Sequence, residues 1–418
     1  MSDRVLIMGG GPAGAALGCY LSLAGVPNTL FEGAIHPRPH VGESLLLSAV
    51  TIFQELQLLE AMERAGFQRK LGASFHGASA AAARAFRVRF DEEASYDIGQ
   101  PHSYHVDRAR FDAMLLKHAS DLGTEVYTGT RVERALFDGE RARGVTIAIA
   151  GRSLDVEGSM VVDATGRSAI LGRQLGLYER DPVLDQYATH AWFRGVTRPA
   201  GKESDIHIAA LPENGWAWFI PITEEVTSVG VVVTRAAFKE TRDDVEGWLR
   251  ARLESTELGK DAARWQRVSD VRREGDYSYT MRRYCGPGWA LIGDAARFVD
   301  PIFSSGVNVA LYSARGCAKA ITALRRDGAD EAAILARYEQ SVRAASDVWH
   351  EFVSLYYALK PLFVIFGQRA EYRRQIVAII QGTVWELAEV PVLAEMRKFL
   401  DKVREDEGHM LHKHLGRV

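Results

Sequence analysis

Val5-Leu6-Ile7-Met8-Gly9-Gly10-Gly11-Pro12-Ala13-Gly14 decides how the chain is read. Four consecutive apolar residues make a strand buried on both faces, and Gly9-x-Gly11-x-x-Gly14 follows it directly and leads into a small-residue helix that stops at Gly25. The first glycine permits a tight turn, the second lets backbone approach a pyrophosphate, and the third lets helix pack close on strand. Pro12 and Ala13 sit inside this loop, where a helix N-terminus offers unpaired N–H groups and the positive end of its dipole. A second strand, Thr29-Leu30-Phe31, closes on Glu32, 21 residues past Gly11, where a carboxylate can accept from ribose hydroxyls. Strand, loop, helix and acid in register form a dinucleotide-binding βαβ unit.

The remaining arithmetic bounds the setting. At roughly 150 residues per domain, 418 residues imply two or three units. A 47% hydrophobic and 25% charged composition excludes disorder, collagen and coiled coil. A net charge of −3 supplies no basic field for nucleic acid. Cys19, Cys285 and Cys317 have no metal-ligand spacing, so no metal is expected, and they fit a reducing compartment. The apolar run before Gly9 is too short for a secretory signal, and Pro361 to Phe366 falls far short of the ~20 residues that span a bilayer. A cytoplasmic enzyme without a membrane span is expected.

Periodicity predicts helices over 45–65 and 106–122 and short strands at 126–128, 145–149 and 160–162. Alternation from 187 to 233 predicts a second sheet, 289–293 another buried strand, and the chain is helical from about 306. The expected fold is α/β. A doubly wound dinucleotide domain carries an antiparallel second sheet interleaved over about 45–105 and 180–285 of a 1–320 core, and 321–418 forms a helical region. Two further strand-turns, Val161-Val162-Asp163-Ala164-Thr165-Gly166-Arg167 and Leu291-Ile292-Gly293-Asp294, bring an acid suited to a ribityl or ribose hydroxyl.

The order of these segments resembles the flavoprotein monooxygenase fold of the aromatic hydroxylase type, with Arg108 placed like that family's flavin-contacting arginine. FAD is therefore the implied dinucleotide. No second strand–GxGxxG–helix unit follows, so the expected source of FADH2 is a separate NAD(P)H-dependent flavin reductase.

Gly215-Trp216-Ala217-Trp218-Phe219-Ile220-Pro221 is similar to the WxWxIP signature of flavin-dependent halogenases. The resemblance implies that Trp216, Trp218, Ile220 and Pro221 form a wall keeping organic substrate off the flavin and so suppressing hydroxylation. Gly42-Glu43-Ser44, Gly66 to Phe75 around Lys70, and Phe298 to Asn308 resemble three further segments of that family. They imply flavin contacts at Glu43, Ser44, Arg108, Asp294, Pro301, Gly306 and Val307. They also imply a chloride or bromide site on the amides of Ser305 and Gly306, and a catalytic lysine at Lys70 that holds hypohalous acid. Tryptophan-specific members carry a glutamate where this chain has Phe303. That makes an electron-rich pyrrole or phenol, carried on an acyl or peptidyl carrier protein, the expected substrate. Arg369, Arg373 and Arg374 form a basic cluster that could meet an acidic carrier. His105 and His350 are possible pocket bases that sequence alone does not place. The competing readings are an FAD-dependent aromatic hydroxylase and, more remotely, a non-catalytic flavin-binding redox partner.

Overall fold

The computed structural model describes residues 3–77, 86–92, 98–211, 215–239, 244–275, 278–386 and 390–416. Its first layer is a six-stranded sheet in the order Cys285–Gly286, Trp289–Leu291, Met160–Asp163, Val5–Met8, Asn28–Glu32, Glu125–Thr128. All pairings are parallel except that of the short Cys285–Gly286 edge. Val5–Met8 and Asn28–Glu32 are buried at every position, as unbroken apolar strands between helical layers must be. The helix Pro12–Leu23 packs on this sheet, and Arg108–Asp121 and Ser305–Leu324 pack against that helix.

The second sheet has eight strands, among them Gln186–Arg194, Val226–Thr234, Trp216–Pro221, Asp205–Ala210, Gly72–His76 and Phe86–Arg89. It is antiparallel save for Asp205–Ala210 beside Gly72–His76, where the chain returns from a distant segment. The strand Trp216–Pro221 shows how period two serves a sheet covered on both sides. Trp216, Trp218 and Ile220 join a core cluster with the C-terminal helices, while Ala217 and Phe219 face a separate cluster with Leu249, Leu253 and Trp265. Glu331–Ala358, Ala370–Gln381 and Pro391–Glu405 form the helical region. Among the described residues, no helix is long and apolar enough to cross a membrane.

One expectation needs correction. The helix expected over 45–65 is two short helices, Ala49–Glu55 and Leu59–Arg64. The chain breaks between them where Gln57 takes a left-handed φ of 56°. Lys70 lies at the end of the strand Gln68–Lys70, which forms a two-stranded ribbon with Ser103–His105.

Candidate functional site

A cavity of about 580 Å³ opens where the two sheets meet, within the ~300–1,000 Å³ range of ligand pockets. Gly9, Gly11, Pro12, Ala13, Glu32, Glu43, Ser44, Arg108, Asp294, Pro301, Gly306 and Val307 all line it. Six separate stretches of sequence therefore converge on one space.

The glycine loop leaves room for a ligand's backbone-hugging phosphates because its own backbone is so tight. A Cβ at Gly14 would lie 1.9 Å from the Gly9 carbonyl oxygen, and one at Gly9, whose φ is +105°, would lie 2.5 Å from that of Ala164. Gly14 thus shapes the loop without lining the cavity. Glu32 accepts from the Gly10 N–H at 2.6 Å and the Ala34 N–H at 2.7 Å, which fixes its carboxylate beside the loop. Arg108 is buried against Asp112, donating at 2.7 and 2.9 Å, and also donates to the Val41 carbonyl. Its charge is therefore balanced before any ligand arrives.

The carboxyl groups at the cavity are poised rather than simply ionised. Burial pushes Glu43 up to about 7, against the opposing pull of Ser228, Trp192 and Arg108. Trp192 Nε1 donates to Glu43 Oε1 at 2.5 Å, while Glu43 Oε2 and Ser44 Oγ are buried without a partner. Asp294 is raised by burial to about 6, with Arg167 and Arg108 pulling it down. Unsatisfied buried groups facing a cavity are groups awaiting a ligand. A flavin dinucleotide fits this donor set: glycine-loop amides for phosphates, Glu32 for a ribose, and Glu43, Ser44 and Asp294 for hydroxyl or ring N–H groups.

Trp216, Trp218 and Ile220 form one wall of the cavity, whereas Pro221 ends their strand and does not line it. The two indoles lie 5.8 Å apart, and Gly230 opposite Trp218 makes room for its ring. Trp216 Nε1 donates to Tyr357 Oη at 2.7 Å, and that hydroxyl in turn reaches Asp300 at 3.2 Å. Burial raises the Asp300 carboxyl to about 7, and it accepts from the Ile302 N–H at 2.9 Å. The wall, the 300–306 loop and the long Glu331–Ala358 helix are tied by this chain. Only tertiary packing brings Tyr357 to Trp216, 141 positions away in sequence.

The helix Ser305–Leu324 starts after Ser304, whose φ of 58° turns the chain sharply. No side chain caps its first turn and no acid lies there, so its N–H groups remain available to an anion. Gly306 faces the cavity, and Ser305 is buried just beside it without lining it.

Lys70 does not line the cavity. It is 1% exposed, its Nζ donates to the Leu45 carbonyl at 3.0 Å, and it stands 5.4 Å from the centre of the Phe90 ring. Burial pulls its ammonium down to about 7, with Asp205 opposing. The segment Glu43-Ser44-Leu45 is therefore a partition, with cavity on one side and the Lys70 ammonium on the other. Phe303 sits among Phe75, Phe352, Tyr356 and Phe363, with ring centres 4.7–6.2 Å away. Aromatic side chains of the C-terminal helices thus form an apolar lining about this residue.

Other expectations fail. Arg373 is held by Glu92 at 2.9 Å and by the carbonyls of Gly367 and Arg87, and Arg369 lies over the Phe366 ring. The charge of Arg373 is thus balanced by Glu92, while Arg369 and Arg374 stay exposed. His350 pairs with Asp181 at 2.6 Å, away from the cavity.

A model described as FAD binding domain matches residues 3–351. The 1H-pyrrole-2-carbonyl peptidyl-carrier-protein chlorinase of Pseudomonas fluorescens is 38% identical, over 100% of this chain and 98% of its own length. This chain belongs to the flavin-dependent halogenases. Tryptophan 2-halogenase of Chondromyces crocatus is 33% identical over 85% of this chain and 68% of its own. The structure of the flavin-dependent brominase Bmp2 aligns with a TM-score of 0.85 at 26% identity, covering 97% of this halogenase and 99% of that chain. The protein is thus an FAD-dependent halogenating oxidoreductase.

Proposed function

We propose that this halogenase acts on a pyrrole-2-carbonyl group carried by a peptidyl carrier protein, with Lys70 as its catalytic residue. The single observation that carries the mechanism is the partition: a buried ammonium stands just behind the cavity wall rather than in the cavity. The substrate is supported by the P. fluorescens relative, which is named for that substrate and matches end to end.

Reduced FAD, when bound, supplies the activation of dioxygen and the oxidation of halide to hypohalous acid. The chain's own residues do the rest. The 9–14 loop and Glu32 hold the dinucleotide, while Glu43, Ser44, Arg108, Asp294, Pro301 and Val307 border its flavin end. The uncapped amides of Ser305 and Gly306 hold the halide. Trp216, Trp218 and Ile220 occupy the space an aromatic substrate would need beside the flavin. Lys70 then hydrogen-bonds the small neutral oxidant against the substrate ring, out of reach of bulk water and of stray thiols. The reduced flavin comes from a separate NAD(P)H-dependent reductase, a reading supported by the lack of a second dinucleotide loop in the sequence. Three buried free cysteines support work in the cytoplasm.

The test is mass spectrometry after turnover with FAD, NADH, a flavin reductase and bromide. Pyrrole-2-carbonyl on a carrier protein would be compared with free pyrrole-2-carboxylate, free phenols and free tryptophan. Bromine-for-hydrogen exchange on the tethered pyrrole alone is expected. Exchange on free tryptophan alone would overturn the substrate, and a gain of one oxygen regardless of halide would make this a hydroxylase.

A further inference from the structure

We propose that His105 is the second half of the hypohalous acid site, accepting the oxidant's O–H through Nδ1 while Lys70 donates to its oxygen. This rests on the reading of Lys70 given above and names the group that completes it.

The argument begins with the ribbon. Gln68 pairs with His105 and Lys70 with Ser103, so Lys70 and His105 occupy diagonal positions on one face of an antiparallel pair. Diagonal side chains stand roughly 7–8 Å apart at their bases, within reach of long side chains. Both residues are almost wholly buried, His105 at 0% and Lys70 at 1% exposure.

The tautomer follows from the partner. His105 Nε2 lies 3.2 Å from the Ser204 carbonyl oxygen, which can only accept, so Nε2 carries the proton. Nδ1 then presents a lone pair, and it is buried with no partner. Burial first, then the charge of Lys70, keeps the imidazole neutral, countered by the bond to Ser204 and aided by Arg198 and His207. Lys70 is the complement: three N–H donors, of which the Leu45 carbonyl takes one. An acceptor without a donor thus stands near a donor with capacity to spare.

Three other polar groups near this pair, Asp205, Arg198 and His207, are already engaged. Asp205 is held by Arg87 at 2.7 and 3.0 Å and by Ser74 at 2.8 Å. Arg198 donates to the Thr223 and Val226 carbonyls and to Thr227. His207 bonds the Lys202 carbonyl and His76, each at 3.0 Å. Ser44, which lines the cavity, bridges His105 through its backbone. The pair therefore adjoins the place where oxidant is made.

Hypohalous acid has one O–H to give and an oxygen that accepts, which matches Nδ1 and Nζ. In the step itself the ring carbon–halogen bond forms as the oxygen–halogen bond breaks. The departing hydroxide takes a proton from the Lys70 ammonium and leaves as water. The ring's C–H electron pair returns to the ring, and its proton goes to the Lys70 amine. His105 holds the oxygen so that the halogen points at the ring.

The experiment compares wild type, Lys70→Ala, His105→Phe and His105→Asn, each checked for bound FAD by its visible spectrum. Halogenated substrate and oxidant captured by an added β-diketone trap are both measured. His105→Phe, which has no acceptor, should lose at least tenfold in product while trapped oxidant rises. His105→Asn keeps a side-chain oxygen and should retain a third or more of the product. Full product from His105→Phe, with Lys70→Ala inactive, would overturn this inference and leave the role of Lys70 standing. So would an equal loss in His105→Asn, which also decides the matter if His105→Phe fails to bind flavin. Full product from Lys70→Ala would instead overturn the reading beneath it.

Discussion

A single buried ammonium costs stability, and the cost has a pH signature. Lys70 titrates near 7 in the fold against an ordinary 10.5. Below pH 7 both folded and unfolded chains carry the proton, so the fold bears the whole burden of a desolvated charge. Between about 7 and 10.5 the unfolded chain binds a proton that the folded one has shed, so stability rises with pH. Lys70→Met should therefore melt higher than wild type at pH 6, with the gain shrinking above pH 7, while product is lost. Thermal melts at the two pH values check this, and a lower melting point at pH 6 would contradict it. The glycine loop gives a second residue-scale expectation. Gly14→Ala places a methyl 1.9 Å from the Gly9 carbonyl oxygen, which only a backbone shift can relieve. The variant should lose FAD on gel filtration, where wild type retains it.

At the scale of elements, the tryptophan wall depends on what stands behind it. Tyr357→Phe removes the hydroxyl between Trp216 Nε1 and Asp300, leaving a buried donor and a buried carboxyl without it. The cost should be about 1–3 kcal/mol, read from urea unfolding. Gly230→Ala drives a methyl to within 2.3 Å of the Trp218 ring and should push the indole into the cavity. Flavin affinity is expected to fall by tenfold or more, since overpacking costs about 1–3 kcal/mol, and fluorescence titration would show it. Elements also show why only part of the design was legible. The strand–loop–helix at 5–23 follows from contacts within one short stretch, and the Trp216–Pro221 strand declares its two faces by alternation. The break at Gln57 carries no glycine or proline to announce it. The acceptors near Lys70 are supplied by Leu45 and His105, 25 and 35 positions away, and no local pattern encodes that meeting. Conversely, Arg373 looked free because Glu92 is far off in sequence.

For the whole molecule, the junction of two sheets and a helical region concentrates carboxyls in dry surroundings. Glu43 and Asp300 both titrate near 7 in the fold, against ordinary values of 4.5 and 3.8. The folded chain keeps protons that the unfolded chain sheds over that interval, so these groups lower stability as pH rises from about 4 to 7. Buried neutral histidines such as His190, lowered to about 4, act in the opposite sense. A Glu43→Gln/Asp300→Asn variant isolates the carboxyls: its stability advantage over flavin-free wild type should grow from pH 4 to 7. A constant difference would mean that the fold leaves both carboxyls at their ordinary values. The same convergence sets residues 43–45 between the cavity and the Lys70 ammonium, and on the proposed mechanism it separates the place where oxidant forms from the place where it acts.

That separation is tested most directly by Lys70→Ala turning over with reductase, bromide and an added β-diketone trap. Loss of brominated substrate together with brominated trap is expected, because oxidant is still made but no longer held against the ring. Brominated substrate at the wild-type level, or substrate gaining oxygen with no need for bromide, would contradict it.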